Sequence, residues 1–216
     1  NELNKTLGFI PDIQKPDSSA QDLPTDDIIP YAASTTAEDL IHLGPFAGAA
    51  QGSDTLITLE NNLLELKITP KGGRIYSARL KDYKTHDSLP LILFSGDSTI
   101  FGFNFFTADN KAVQTNNLYF TPMTGNKTIT ASTEPESVIM RLMAGENKYL
   151  EYKYTLPPDK YMVDFNVTFK SMQDIIASNQ NSLSIDWRMY IPQQEKGRQN
   201  EDSYTTIKYK YYQDDV

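Results

Sequence analysis

The sequence contains no cysteine, one tryptophan and two histidines. Without cysteine there are no disulfides, no thiol nucleophile and no thiolate metal site. Two histidines far apart in the chain, His42 and His86, leave a zinc site without a plausible ligand set. No apolar run reaches the roughly 18 residues of a membrane-spanning helix, and Asn1 to Gly8 hold no basic region followed by an apolar core, so no signal peptide is expected there. Positive charge is also short. Twenty Lys and Arg against 28 Asp and Glu leave a net charge of -8, which argues against nucleic acid and against an anionic membrane surface as the main partner.

What is present is aromatic and alternating. The 216 residues include 13 tyrosines and 10 phenylalanines. Residues 1–35 differ from the rest: they carry six acids, two bases and four prolines, and read as an irregular leader. Leu7, Phe9, Ile10, Ile28, Ile29 and Tyr31 offer it apolar anchors. Thr36-Ala-Glu-Asp39 carries an N-cap hydroxyl and first-turn acids, which predict a short helix with Leu40, Ile41, Leu43 and Phe46 on its apolar side.

From Asp54 onward the apolar period is two. Leu64, Leu66 and Ile68 alternate with polar residues; so do Leu150 to Leu156, Val163 to Phe169, Leu183 to Ile191 and Ile207 to Tyr211. Such runs predict half-buried strands. Pro70-Lys-Gly-Gly73, Thr124-Gly-Asn126, Ala144-Gly-Glu-Asn147 and Leu156-Pro-Pro-Asp159 supply the turns. No helical stretch is expected after residue 54, so the prediction is an all-β fold, an antiparallel sandwich of large sheets. The organisation expected is a leader with a short helix over 1–53 and a sandwich domain over 54–216.

Chemistry-bearing patterns are sparse. His42 falls on the short helix and His86 in the loop Tyr83–Ser88, with no Gly-x-Ser-x-Gly elbow nearby. Glu65, Glu151, Asp164 and Asp186 could pair as glycosidase carboxylates, but each sits on the polar side of its strand, where solvation explains it. Lys71-Gly-Gly73 lacks phosphate-loop spacing. No catalytic, metal or cofactor residue is assigned and no cofactor is expected. Among the aromatics, Tyr149, Tyr190 and Tyr212 fall off the main apolar faces and are the candidates for a ligand or partner surface. Sheet edges offer a further possibility, the addition of an extended peptide as a strand.

One ordered series goes beyond composition. Leu59 to Tyr83, with Asn61 or Asn62 (Asn62 the preferred match), Gly72, Gly73, Leu80 and Tyr83, resembles the start of the periplasmic domain of YidC-type membrane-protein insertases. Pro90–Phe94, Phe101–Phe105, Asn117–Pro122 and Ser203–Asp215 resemble the Bacteroidetes branch of that family. The resemblance implies a large twisted β-supersandwich similar to galactose mutarotase. It implies a periplasmic location within an inner-membrane protein, with one membrane helix before the leader and five after the domain. The implied role is that of a non-enzymatic accessory domain, a protein-interaction scaffold. The implied partners are the Sec translocon with its accessory subunits and nascent membrane proteins, with contact to the membrane only through helices outside this chain. The insertase groove would lie among those helices. In relatives a cleft of this domain can hold an extended molecule, and a last helical section is expected beyond Val216. Mutarotase-like enzymes place His and Glu around a sugar; His42 and His86 depart from that pattern, and the alternative reading is a carbohydrate-binding sandwich without catalysis.

Overall fold

A computed structural model describes residues 37–180 and 182–206. Helix α1 (Ala37–Leu43) runs into a 3-10 segment (Gly44–Ala49). Twelve strands follow among the described residues: β1 (Ile57–Glu60), β2 (Leu64–Ile68), β3 (Ile75–Lys84), β4 (Pro90–Ser95), β5 (Ile100–Phe106), β6 (Ala112–Gln114), β7 (Thr121–Pro122), β8 (Thr128–Thr130), β9 (Glu136–Gly145), β10 (Lys148–Leu156), β11 (Asp164–Lys170) and β12 (Ser184–Arg188). They form a five-stranded sheet in the order β4-β3-β2-β1-β8, a four-stranded sheet β11-β10-β9-β7 and a three-stranded sheet β12-β5-β6. The fold is an all-β sandwich. All pairings are antiparallel except β1 with β8, which is parallel.

Alternation explains the strongest strands. In β10, Leu150, Tyr152, Tyr154 and Leu156 are buried, while Glu151, Lys153 and Thr155 face outward. The partner β9 does the same with Val138, Met140, Leu142 and Ala144. Their antiparallel register puts Leu150 opposite Leu142 and Tyr152 opposite Met140. Each fully buried side chain of this size stabilises the fold by about 1.5–3 kcal/mol, and a one-residue slip would expose the whole set. On the outer face the same register sets Glu151 opposite Arg141, where they form an ion pair at 2.7 Å.

Glycine decides the β2–β3 turn. Gly72 and Gly73 have φ of 76° and 62°, a region that side chains with a Cβ avoid. A Cβ on Gly73 would also lie 2.7 Å from the Phe120 ring. The turn is clamped by neighbours: Gly72 N–H donates to Leu118 O, Phe120 N–H to Pro70 O, and the buried Tyr154 hydroxyl to Gly73 O at 2.8 Å.

Several expectations are corrected. Leu40 and Ile41 do not pack; both are exposed. Gly44, at φ 54°, ends α1 after seven residues and redirects the chain, so only Leu43 and Phe46 reach the core. Phe46 is fully buried and meets Phe105 edge to face at 5.9 Å. The run from Leu183 to Ile191 yields a strand only over Ser184–Arg188, and little of its apolar side is core: Leu183 packs against the core, while Ile185, Trp187 and Ile191 are exposed. Among the described residues β12 is an edge strand paired only with β5, and no described layer covers Ile185 and Trp187 fully. A helix does occur after residue 54. Helix α2 (Arg198–Tyr204) has no buried residue, hence no apolar period to read, and is supported by an Arg198–Asp202 pair and by Glu201, whose carboxylate accepts from Gln194 N–H. The leader anchors, Thr36, Ile207, Tyr209, Tyr211 and Tyr212 lie outside the described residues.

Candidate functional site: an aromatic cavity between open strand edges

The three-stranded sheet packs face to face on the four-stranded sheet through aromatic rings. Phe101 and Phe103 of β5 meet Tyr152, Phe165 and Phe169 at centroid distances of 5.4 to 6.1 Å. Tyr154 stacks on Phe165 at 4.9 Å. These rings sit in the edge-to-face and offset geometries that their quadrupoles favour. The packing is incomplete at one end. A cavity of about 280 Å³ remains there, lined by Ile75, Phe94, Thr99, Phe101, Phe165 and Trp187 among others. Trp187 stands at its mouth, 65% exposed, with its ring perpendicular to Phe101 at 5.9 Å.

The edges around this cavity are open. Among the described residues β11 and β12 each end their sheet, and so does β4, which contributes Phe94. The wall also contains an unusual polar atom. Thr99 is 4% exposed and its hydroxyl has no hydrogen-bond partner among the described residues. Next to Ile75 in the chain, burial pulls the Arg74 guanidinium below its ordinary pKa and Asp97 opposes the shift. Arg74 donates to Asp97 at 3.2 Å and lies over the Tyr76 ring.

Of the tyrosines singled out from sequence, Tyr190 is exposed just beyond β12. Tyr149 lies elsewhere, on the outer face of β10 with the Arg141 guanidinium over its ring at 4.3 Å. Tyr212 is outside the described residues. Sequence reasoning missed Phe101, Phe165 and Thr99 as site residues. The aromatic alternation Phe101-Gly-Phe-Asn-Phe105 was a usable signal for the first; nothing in the sequence marks Thr99.

The motif residues gather at two places, neither at the cavity. Gly72 and Gly73 hold the turn against Leu118–Phe120, as above. Asn61 and Tyr83 converge on the loop leading into β11. Asn61 is 1% exposed; its Nδ2 donates to Pro157 O and Lys160 O, both at 2.8 Å, while its Oδ1 accepts from Leu63 and Leu64 N–H. Asn62 makes one exposed contact to the loop, accepting from Asp159 N–H at 3.2 Å. Tyr83 meets Tyr161 edge to face at 6.2 Å. Leu80 pairs with Leu64 and Leu91 in the sheet.

The other chemical candidates do not converge. Glu65 pairs with Arg79, Glu151 with Arg141 and Asp186 with Arg188, each on its own sheet. The hydrogen bond from Arg188 holds the Asp186 carboxyl below the ordinary range, the reverse of what a general acid needs. His42 and His86 are exposed on separate elements, and His86 Nδ1 faces Gln194 O at 3.3 Å. No cluster of three potential metal ligands occurs among the described residues.

Residues 56–215 match the family described as the YidC periplasmic domain. The chain belongs to that family. It is 44% identical over 173 residues to the membrane protein insertase YidC of Parabacteroides distasonis, covering 80% of this chain and 26% of that protein. To the YidC of Azobacteroides pseudotrichonymphae it is 40% identical over 173 residues, 80% of this chain and 27% of that protein. To that of Bacteroides fragilis it is 38% identical over 181 residues, 84% and 28%. The chain thus spans about a quarter of the length of these relatives. Family membership places this domain in the periplasm, and no described helix is long and apolar enough to cross a membrane.

Proposed function

We propose that this YidC periplasmic domain is the accessory, non-enzymatic part of a membrane-protein insertase and works as a protein-interaction scaffold. Its clients are nascent membrane proteins, and its stationary partners are the Sec translocon and its accessory subunits. Residues 54–216 constitute the scaffold and 1–53 lead into it, with the buried Phe46 supporting a firm attachment at the end of that lead. The observation that carries the reading is the exposed apolar face of Ile185 and Trp187 on β12, beside strand edges that are open among the described residues, in a chain whose relatives are named membrane protein insertases. An uncovered apolar patch of this kind marks an interaction surface, and the aromatic enrichment is that of binding hot spots. Glu65, Glu151 and Asp186 are each engaged in an ion pair on a separate sheet, which supports a role in binding and not in turnover.

The test is photo-crosslinking in cells from positions 187 and 190 of the insertase, with positions 67 and 153 on polar faces as controls. The expected products are nascent membrane proteins or Sec subunits from 187 and 190 only. Equal labelling from all four positions, or capture of neither class, would contradict the proposal.

A further inference from the structure

We infer that the open edge of β12 accepts an extended polypeptide as an added strand, seating one Tyr or Trp side chain in the cavity beside Thr99. This rests on the scaffold reading above and specifies how a client is held. Four observations carry it. First, among the described residues β12 pairs with β5 alone, so its other edge presents backbone donors and acceptors that no described strand takes up. Natural edges are usually guarded by charge or proline; here Asp186 and Arg188 pair with each other on the face opposite Trp187, and β12 contains no proline. Second, the face to be covered is apolar and aromatic at two-residue spacing, Ile185 and Trp187, which is the spacing of an added strand.

Third, the cavity is small. At about 280 Å³ it lies at the lower end of the range of ligand pockets, about 300 to 1,000 Å³, a size that also suits a single large side chain. Fourth, Thr99 selects which side chain. Its hydroxyl is already buried and unpaired, so a purely apolar occupant gains nothing from it. Tyr and Trp bring an apolar ring for Phe101 and Phe165 together with one O–H or N–H that the Thr99 oxygen can accept.

The test uses the 216-residue chain and fluorescein-labelled peptides of alternating Thr and Val with Tyr at the centre, read by anisotropy, with Trp187, the sole tryptophan, as an independent emission reporter. Replacing the central Tyr by Ala should weaken binding roughly tenfold or more, the size of one lost anchor. N-methylation of one alternate set of peptide nitrogens should abolish binding and of the other set should leave it, since a strand pairs through every second residue. Thr99→Val should remove the preference for Tyr over Phe while keeping Phe-peptide affinity, which also shows that the variant is folded. The inference is overturned if no peptide binds, if N-methylation has no effect, or if the Tyr preference survives Thr99→Val. It is also overturned if the chain self-associates through this face, or if binding appears only after residues 207–216 are deleted. Peptide binding as specified, without capture of membrane proteins in cells, would refute the scaffold reading alone. Capture in cells with no peptide binding at β12 would refute this inference alone.

Discussion

Two adjacent asparagines make a sharp prediction, because only one of them is built into the fold. The Asn61 side chain makes four hydrogen bonds: two donated to the carbonyls of Pro157 and Lys160, and two accepted from the N–H groups of Leu63 and Leu64. Truncation to Ala removes the central partner of all four. A neutral hydrogen bond contributes about 1 kcal/mol net, and a buried group left unpaired costs about 1–3 kcal/mol. The Leu64 bond is fully buried and the other three are partly buried, so water can recover some of the loss. The expected cost is about 3–4 kcal/mol, a large share of a typical total of about 5–15 kcal/mol. For a chain of this size that corresponds to a fall in Tm of about 6–16 °C. Asn62→Ala removes a single exposed contact at 3.2 Å and should cost under about 1 kcal/mol. Asn61→Asp keeps the acceptors but sets a carboxylate against two carbonyls, and should be at least as damaging as Ala at neutral pH. Urea denaturation followed by circular dichroism gives the comparison. Equal effects at 61 and 62 would refute the assignment of the loop clamp to Asn61.

Three further expectations follow from the same structure. Tyr154→Phe removes the buried hydrogen bond to Gly73 O and should cost about 1–2 kcal/mol; a urea midpoint unchanged from wild type would contradict it. Gly73→Ala adds left-handed strain of about 1–2 kcal/mol to the collision with Phe120, so the double variant with Phe120→Ala should lose less than the sum of the singles, measurable as a double-mutant cycle. Glu60 is held below its ordinary pKa of 4.5, chiefly by the hydrogen bond from Lys81. A depressed carboxyl stabilises the fold above that ordinary value, and the contribution is lost as pH falls through the folded value. Stability should therefore decline on acidification below about pH 4.5, and less steeply in Glu60→Gln; parallel pH profiles would refute the linkage.

The sequence made the interior strands legible because one face of each is buried, the other meets water, and the alternation is strict. β2 and β10 alternate without exception from Leu64 to Ile68 and from Leu150 to Leu156, and Gly72-Gly73 marks the turn because φ is positive at both positions. The same alternation misled at β12. Period two reports that a strand has an apolar face, not that another layer covers it, and so the core expected under Ile185 and Trp187 is an exposed surface. Helix α2 was invisible because it buries nothing. The candidate site was legible only in part. Aromatics on β5 and β12 could be read as strand faces, but the meeting of Phe101 with Phe165 is a long-range sandwich contact. The unpaired hydroxyl of Thr99 is a property of packing with no sequence signature. Asn61 outranks Asn62 for the same reason: which of two neighbours turns inward is set by the loop it must hold.

The claim that the β12 face is a working surface is tested most directly in the whole insertase. Ile185 and Trp187 are exposed, so replacing both by Ser should leave the protein's abundance and thermal stability close to wild type. The account predicts that membrane-protein reporters then insert more slowly, while a matched pair of changes on the polar face, Lys67 and Lys153 to Ser, leaves insertion unaltered. Unchanged insertion in the Ile185 and Trp187 variant, at normal abundance, would contradict it.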